Sequence, residues 1–423
     1  MSVWRDLVGQ EGVVVQLARA SEAAAAVVAG HGAGAPVTPD PARAGQPAGR
    51  PVGPGAADHG SAEVPAHAEP SAMTHAWLFT GPPGSGRSTA ARAFAAALLC
   101  RDAGCGECAD CHTALAGTHA DLDVVTTQLL SIRVDDARAL VARAARHPAG
   151  GRWRVFLMED ADRLTESAAN ALLKAVEEPA ARTVWMLCAP AVHDVLPTIR
   201  SRCRLVELRT PRPDAVAEVL VRRDGVDPAM ASFAAKASQG HIGRARRLAR
   251  DEASRLRRRE VLRLPVQLER LGDCVTAAAN LVDAAVEDAA AATAELDARE
   301  SEQLARALGV GTQGRAPTGA AVQLRQLEKD QKTRAKRLQR DAIDRALVDL
   351  ASFYRDVLTT QLRTGVGLVN DEIRADITRV AERSTPEQTV RRIDAILDAR
   401  TAIMNNVAPL LAVEAMAISL RSG

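Results

Sequence analysis

The residues that most restrict this chain are 77–89, Trp-Leu-Phe-Thr-Gly-Pro-Pro-Gly-Ser-Gly-Arg-Ser-Thr, where a short apolar run feeds a glycine loop and then an alanine-rich segment. Gly81, Pro82, Pro83, Gly84, Ser85, Gly86, Arg87, Ser88 and Thr89 follow the phosphate-cradling pattern G-x-x-x-x-G-K-[ST] at every fixed position but one. Glycines let consecutive backbone N–H groups curl around a phosphate and meet the positive end of the next helix. The exception is Arg87, where a flat, long guanidinium replaces a compact ammonium. Residues 77–79 are too few and too apolar for anything but a buried parallel strand, and residues 89–99 form the helix after the loop, half of a βαβ unit.

The rest of the first half continues the alternation. Strands are expected at 122–125, 154–158, 183–188 and 204–208. Helices are expected at 135–146, with Ala137, Leu140, Val141 and Ala144 on one face, and at 166–177, stopped by Pro179. Strands alternating with helices imply a parallel sheet covered on both faces. Before the loop, residues 3–26 read as a short loop and an amphipathic helix. Residues 29–71 are Gly, Ala, Pro and His with almost nothing to bury, a disordered insertion within the first domain. Pro211 and Pro213 mark the exit. Residues 211–250 then read as a small helical module and 251–423 as helix nearly throughout, broken by a mobile loop at 309–319. The basic residues between Lys329 and Arg340 read as a solvated helix face.

With 423 residues, 47% of them hydrophobic, the chain can build two or three domains. Aromatics are only 2%, so the cores must come from Leu, Val, Ile and Ala, which favours helix packing. A formal net charge of +2 excludes a strongly basic nucleic-acid coat. No run approaches 18 strongly apolar residues and the N-terminus lacks a basic end followed by an apolar core, so a cytoplasmic protein without a membrane span is expected.

Cys100, Cys105, Cys108 and Cys111 put four thiols into twelve residues, with Gly104 and Gly106 flanking Cys105 to permit tight turns. Such a set can close a tetrahedron around one Zn²⁺, and four protein ligands leave no position for water, so the metal is structural. His112 and His119 are not needed as ligands and read as exposed surface. The third strand ends in Glu159-Asp160, where a working P-loop ATPase presents an aspartate for Mg²⁺ and often a following glutamate for the attacking water. Here the order is swapped, so each carboxylate misses its place by about one C–C bond, an error that costs on the order of 10²-fold in rate. With Arg87, this degenerate pair argues against hydrolysis and against firm binding of ATP with Mg²⁺.

Further along stand Asn170-Ala-Leu-Leu-Lys-Ala-Val-Glu-Glu-Pro179 and Ile199-Arg-Ser-Arg-Cys-Arg204. With the glycine loop and the four cysteines, these runs resemble the AAA+ clamp-loader family of bacterial DNA polymerase III, and the delta-prime branch more than the ATP-hydrolysing gamma/tau branch. The resemblance covers residues 3–26 and 73–250; past 250 it rests on helical character and the segment 405–410, and the 29–71 insertion has no counterpart in it.

The resemblance implies a RecA-like α/β P-loop domain over 1–210, a helical lid over 211–250 and an all-α collar over 251–423. It implies a five-subunit ring with gamma/tau and delta subunits that loads a sliding clamp onto primer-template DNA. In that family the Ser-Arg-Cys arginine reaches a neighbour's ATP, which by the match is Arg202; a planar cation set against the γ-phosphate contributes about 10³ to 10⁵ in rate. Two further departures join Arg87 and the swapped acids. Glycine, Gly243, stands where the hydrolysing subunits carry a lid arginine, and Cys188-Ala-Pro190 offers no group to sense a γ-phosphate. Together they imply a subunit that keeps the ATPase shape and has lost the reaction. The competing readings are an active gamma/tau-like ATPase in which Arg87 substitutes for lysine, and a small-molecule phosphotransferase, which leaves the cysteines and the Ser-Arg-Cys triplet without a purpose.

Overall fold

The computed structural model describes residues 2–30, 72–127, 131–150, 152–308 and 320–423, in two compact units, the first made of residues up to 82, 86–126 and 133–209 and the second of 83–85, 127–132 and 210–423. Residues 31–71 of the expected insertion and the expected loop at 309–319 lie outside the described residues.

In the first unit, α1 (Glu11–Gly30) precedes β1 (Ala76–Thr80), α2 (Arg87–Leu99), α3 (Ala109–Ala116), β2 (Leu122–Val125), α4 (Val134–Ala144) and β3 (Arg154–Met158). Then come α5 (Glu166–Glu177), β4 (Thr183–Ala189), α6 (Pro197–Arg200) and β5 (Arg204–Glu207). All pairings are parallel, as the alternating pattern required, and the strand order is β2-β3-β4-β1-β5. Every residue of β1 and β4 is buried, the signature of strands covered on both faces. The scarce aromatics concentrate here: Trp77 meets Phe94 edge-on at 4.9 Å, and Phe156 stacks on Trp185 at 4.8 Å. Six alanines of α2 are buried, so this helix can approach the sheet closely with almost no side-chain bulk between them.

Local chemistry explains the element ends. Thr165 caps α5 by accepting the Ala168 N–H, and burial of Ala168, Ala169, Leu172 and Val176 gives that helix one apolar face. On α4 the buried face is Ala137, Leu140 and Ala144, with Val141 at its margin. Three details depart from expectation. α1 continues through Ala29 and Gly30 instead of ending at 26. A helix, α3, occupies the cysteine segment. By length and composition α1 is also apolar enough to cross a membrane, contrary to the reading that no run qualifies; in the structure Val13, Leu17, Ala20, Ser21, Ala23 and Ala24 are buried within the first unit instead. Just before α1, the Gln10 side-chain amide donates to the Arg209 carbonyl at 2.6 Å and its oxygen accepts the Arg209 N–H at 3.2 Å, pinning the chain's beginning to the exit of β5.

The second unit is helical: α7 (Pro213–Asp224), α8 (Pro228–Ser238), α9 (Ile242–Arg250), α10 (Glu252–Gln267), α11 (Leu271–Ala307), α12 (Ala320–Gln361), α13 (Arg374–Arg383), α14 (Pro386–Met404) and α15 (Pro409–Ser422). α7 to α9 close around Val216, Leu220, Ala234 and Leu248, and the later helices around Leu347, Phe353, Tyr354, Ile396 and Met416. Between Lys329 and Arg340 the three lysines are exposed, but Arg334 is buried against Asp297 (2.7 Å) and Glu300 of α11. The expected solvated face therefore holds for the lysines and fails for Arg334, which clasps α11 to α12.

Candidate functional site

The glycine loop leaves β1, an interior strand, and its entrance is fixed by the Gly81 N–H donating to the Pro190 carbonyl after β4 at 3.2 Å. Gly84 (φ +87°) and Gly86 (φ +93°) hold left-handed backbones that explain their identity. α2 starts at Arg87 without a side-chain cap, leaving its positive end to whatever the loop holds. Along the loop, Ser88 is half-buried and Thr89 and Pro82 are exposed.

Arg87 does not reach outward from it. Its Nη1 donates to the carbonyl of Gly81, so the guanidinium folds back onto its own loop. Burial lowers its proton affinity, opposed by the nearby Cys188, Asp162, Asp160 and Asp194. At the end of β3, Glu159 Oε1 accepts from Arg92 Nε (3.0 Å) and Nη2 (2.8 Å), and Asp160 lies 3.7 Å from Arg163. Both acids already answer cations of this chain. Between the loop and β3 runs β4, where Cys188 is fully buried opposite Phe79 and burial raises its thiol pKa. Arg92 and Asp162, whose carboxyl is raised chiefly by burial, escaped the sequence reading. The signal for Arg92 was there: past the first turn of α2 it is the one charge among alanine, phenylalanine and leucine, and such a charge must find a partner.

Arg202 sits in the turn between α6 and β5. Its Nη1 donates to the Thr198 carbonyl (2.8 Å) and Ser201 Oγ (3.1 Å), its Nη2 pairs with Glu177 at the end of α5, and its side chain is 39% exposed. In the second unit Gly243 is exposed, and Arg244 beside it is held by Asp349 of α12.

The four cysteine sulfurs lie within 4.8 Å of one another. Three of the separations are 3.6 Å (Cys100 to Cys108), 3.8 Å (Cys100 to Cys105) and 4.0 Å (Cys105 to Cys111). A tetrahedron with metal–sulfur bonds of about 2.3 Å has edges of about 3.8 Å, so the thiols stand where a single ion would take them. Backbone N–H groups of Asp102, Gly106 and Cys111 point at Cys100, Cys111 and Cys108, the outer bonds that orient such ligands. Gly104 (φ +95°) accepts the Val3 N–H at 3.1 Å, where a Cβ would lie 2.7 Å from Val3. His112 is exposed as expected. His119 is not: it is largely buried, its Nδ1 accepts the Asp121 N–H at 3.0 Å, and it shapes the turn into β2.

A parallel sheet in this strand order, carrying a glycine loop after an interior strand and acids at the end of β3, defines a P-loop α/β domain of the AAA+ type. Residues 62–212 match the family described as DNA polymerase III, delta subunit. The chain is 40% identical over 151 residues to DNA polymerase III subunit delta' of Pseudomonas aeruginosa (34% of this chain, 45% of that protein). It is 31% identical over 199 residues to the Bacillus subtilis delta' subunit (46% and 60%), and 34% identical over 170 residues to the gamma/tau subunit of Mycobacterium tuberculosis (39% and 29%). Over its P-loop domain the chain is thus similar to the clamp-loader delta-prime subunits, in line with the resemblance. The matches span between 29% and 60% of these relatives. A solved gamma subunit-related protein of Thermotoga maritima aligns with 82% of this chain and 95% of its own at 14% identity, with a TM-score of 0.36.

Proposed function

We propose that this chain is the delta-prime subunit of a DNA polymerase III clamp loader, a ring member that hydrolyses no ATP itself and lends Arg202 to the ATP of a neighbouring subunit. Its partners on this reading are gamma/tau and delta in a five-subunit cytoplasmic ring that opens a sliding clamp and places it on primer-template DNA. The four-cysteine site takes one Zn²⁺ for structure. The observation that carries the loss of hydrolysis is the closed pairing at the loop, Arg87 with the Gly81 carbonyl and Glu159 with Arg92, which leaves neither group to a terminal phosphate.

The pairing of Arg202 with Glu177 does not oppose a role in trans. Both side chains are about two-fifths exposed, and such pairs contribute roughly 0–1 kcal/mol. An arginine finger's 10³ to 10⁵ in rate corresponds to about 4–7 kcal/mol, so swapping one partner for the other is readily driven. The test is the reconstituted loader carrying Arg202→Ala, assayed for clamp-stimulated ATP hydrolysis. Loss of turnover at the site Arg202 serves is expected, and an unchanged rate refutes the assignment. The likeness to gamma/tau subunits favours a second reading, an active ATPase subunit. Hydrolysis by the isolated chain at a rate typical of ring ATPases would establish it instead.

A further inference from the structure

A cavity of about 450 Å³ opens in the second unit among α9, α10, α11 and α12. Its charged lining is lopsided: Arg244, Arg247, Arg257, Arg258, Arg263 and Arg345 against Glu260, Asp288 and Asp349. Three of the arginines are spoken for. Arg244 and Arg258 share Asp349, Arg258 also reaches Glu372 at 2.6 Å, and Arg257 takes Asp288 at 3.1 Å. Arg247, Arg263 and Arg345 have no side-chain hydrogen bond or ion pair among the described residues. Arg345 is half-buried, and its proton affinity is lowered first by that burial, then by the nearby Arg247 and Arg244, with Asp341 and Asp288 opposing. A half-buried cation facing other cations is costly unless something anionic shares the space. The apolar part of its lining is aliphatic, with Leu248, Val261, Leu264 and Leu281 among alanines.

We infer that this cavity binds a small phosphate-bearing anion with an apolar body, such as a nucleotide, its phosphates on Arg247, Arg263 and Arg345 and its body on the aliphatic lining. The volume falls in the range of small-molecule sites. Guanidinium forks suit phosphate, which offers several charged acceptors at once, better than a lone carboxylate. The site is separate from the glycine loop, whose own arginine is Arg87.

The test is calorimetric titration of the full chain with inorganic tripolyphosphate and, in parallel, with ATP, at about 0.15 M salt, where exposed nonspecific attraction is largely screened. One saturable site per chain is expected for each probe, with ATP the tighter because only it reaches the aliphatic lining. Arg345→Gln should weaken tripolyphosphate by about tenfold or more, as losing one charge-assisted pair does. Arg87→Gln should leave it within twofold. Should Arg345→Gln melt well below wild type, the exposed pair Arg247→Gln and Arg263→Gln together serves the same purpose. No saturable binding, binding lost with Arg87→Gln but kept with Arg345→Gln, or displacement of tripolyphosphate by duplex DNA alone and not by ATP would each overturn the inference.

Discussion

Stripping the metal from the four-cysteine site should melt α3 and leave α2 in place. α3 has eight residues and buries only Cys111 and Ala114. Fully burying two small side chains is worth about 3 kcal/mol at most. Fixing eight residues costs about 8 kcal/mol or more in backbone entropy, and a helix this short does not persist alone in water. A deficit of about 5 kcal/mol therefore falls to the metal, well inside the roughly 10–16 kcal/mol that structural zinc contributes in small domains. α2 is different, with nine buried residues against the sheet. The perturbation is chelation of wild type, or Cys111→Ser, which removes a buried ligand together with its bond from the Gly106 N–H. Metal content and amide hydrogen exchange are the assays. About one ion per wild-type chain is expected, and on its loss protection across 109–116 should collapse while that of 90–99 persists. A gently purified wild-type chain holding under about 0.2 ion, or α3 amides equally protected with and without chelator, would refute the reasoning.

Arg87→Lys alone should not create an ATPase, because Glu159 remains held by Arg92; turnover by the isolated variant near 1 s⁻¹, an ordinary enzyme rate, would show that the arginine was the whole obstacle. Glu177→Gln should change the melting temperature little, since the exposed pair is worth roughly 0–1 kcal/mol, and should keep loader ATPase within about twofold; a collapse matching Arg202→Ala would mean that the pair, and not the free arginine, is the working element. Asp349→Asn should destabilise the second unit by about 3 kcal/mol, leaving Arg244 and Arg258 without their shared buried anion, and lower its thermal midpoint by about 6–12 °C. A shift under about 2 °C in calorimetry would show that water already compensates these charges.

What could be read before folding was whatever depends on neighbours in the chain. The strand, glycine loop and helix at 76–99 announce themselves because left-handed glycines and an apolar run must be adjacent to work. The four cysteines do so because four candidate ligands for one ion fall within twelve residues, and α5 matched residue for residue because its cap, apolar face and stop are all local. His119 was misjudged for the opposite reason: its burial comes from the turn it makes, not from its neighbours' character.

Sequence alone determined that Arg87 stands where the phosphate-loop pattern has lysine and that Glu159 precedes Asp160 after the third strand. Only the tertiary structure decided where those charges go: Arg87 back to Gly81, Arg92 across 67 positions to Glu159, Arg202 to Glu177, and three arginines of separate helices to one cavity. Coulomb attraction and desolvation act on distances in space, and those distances exist only once the sheet and the helices have packed.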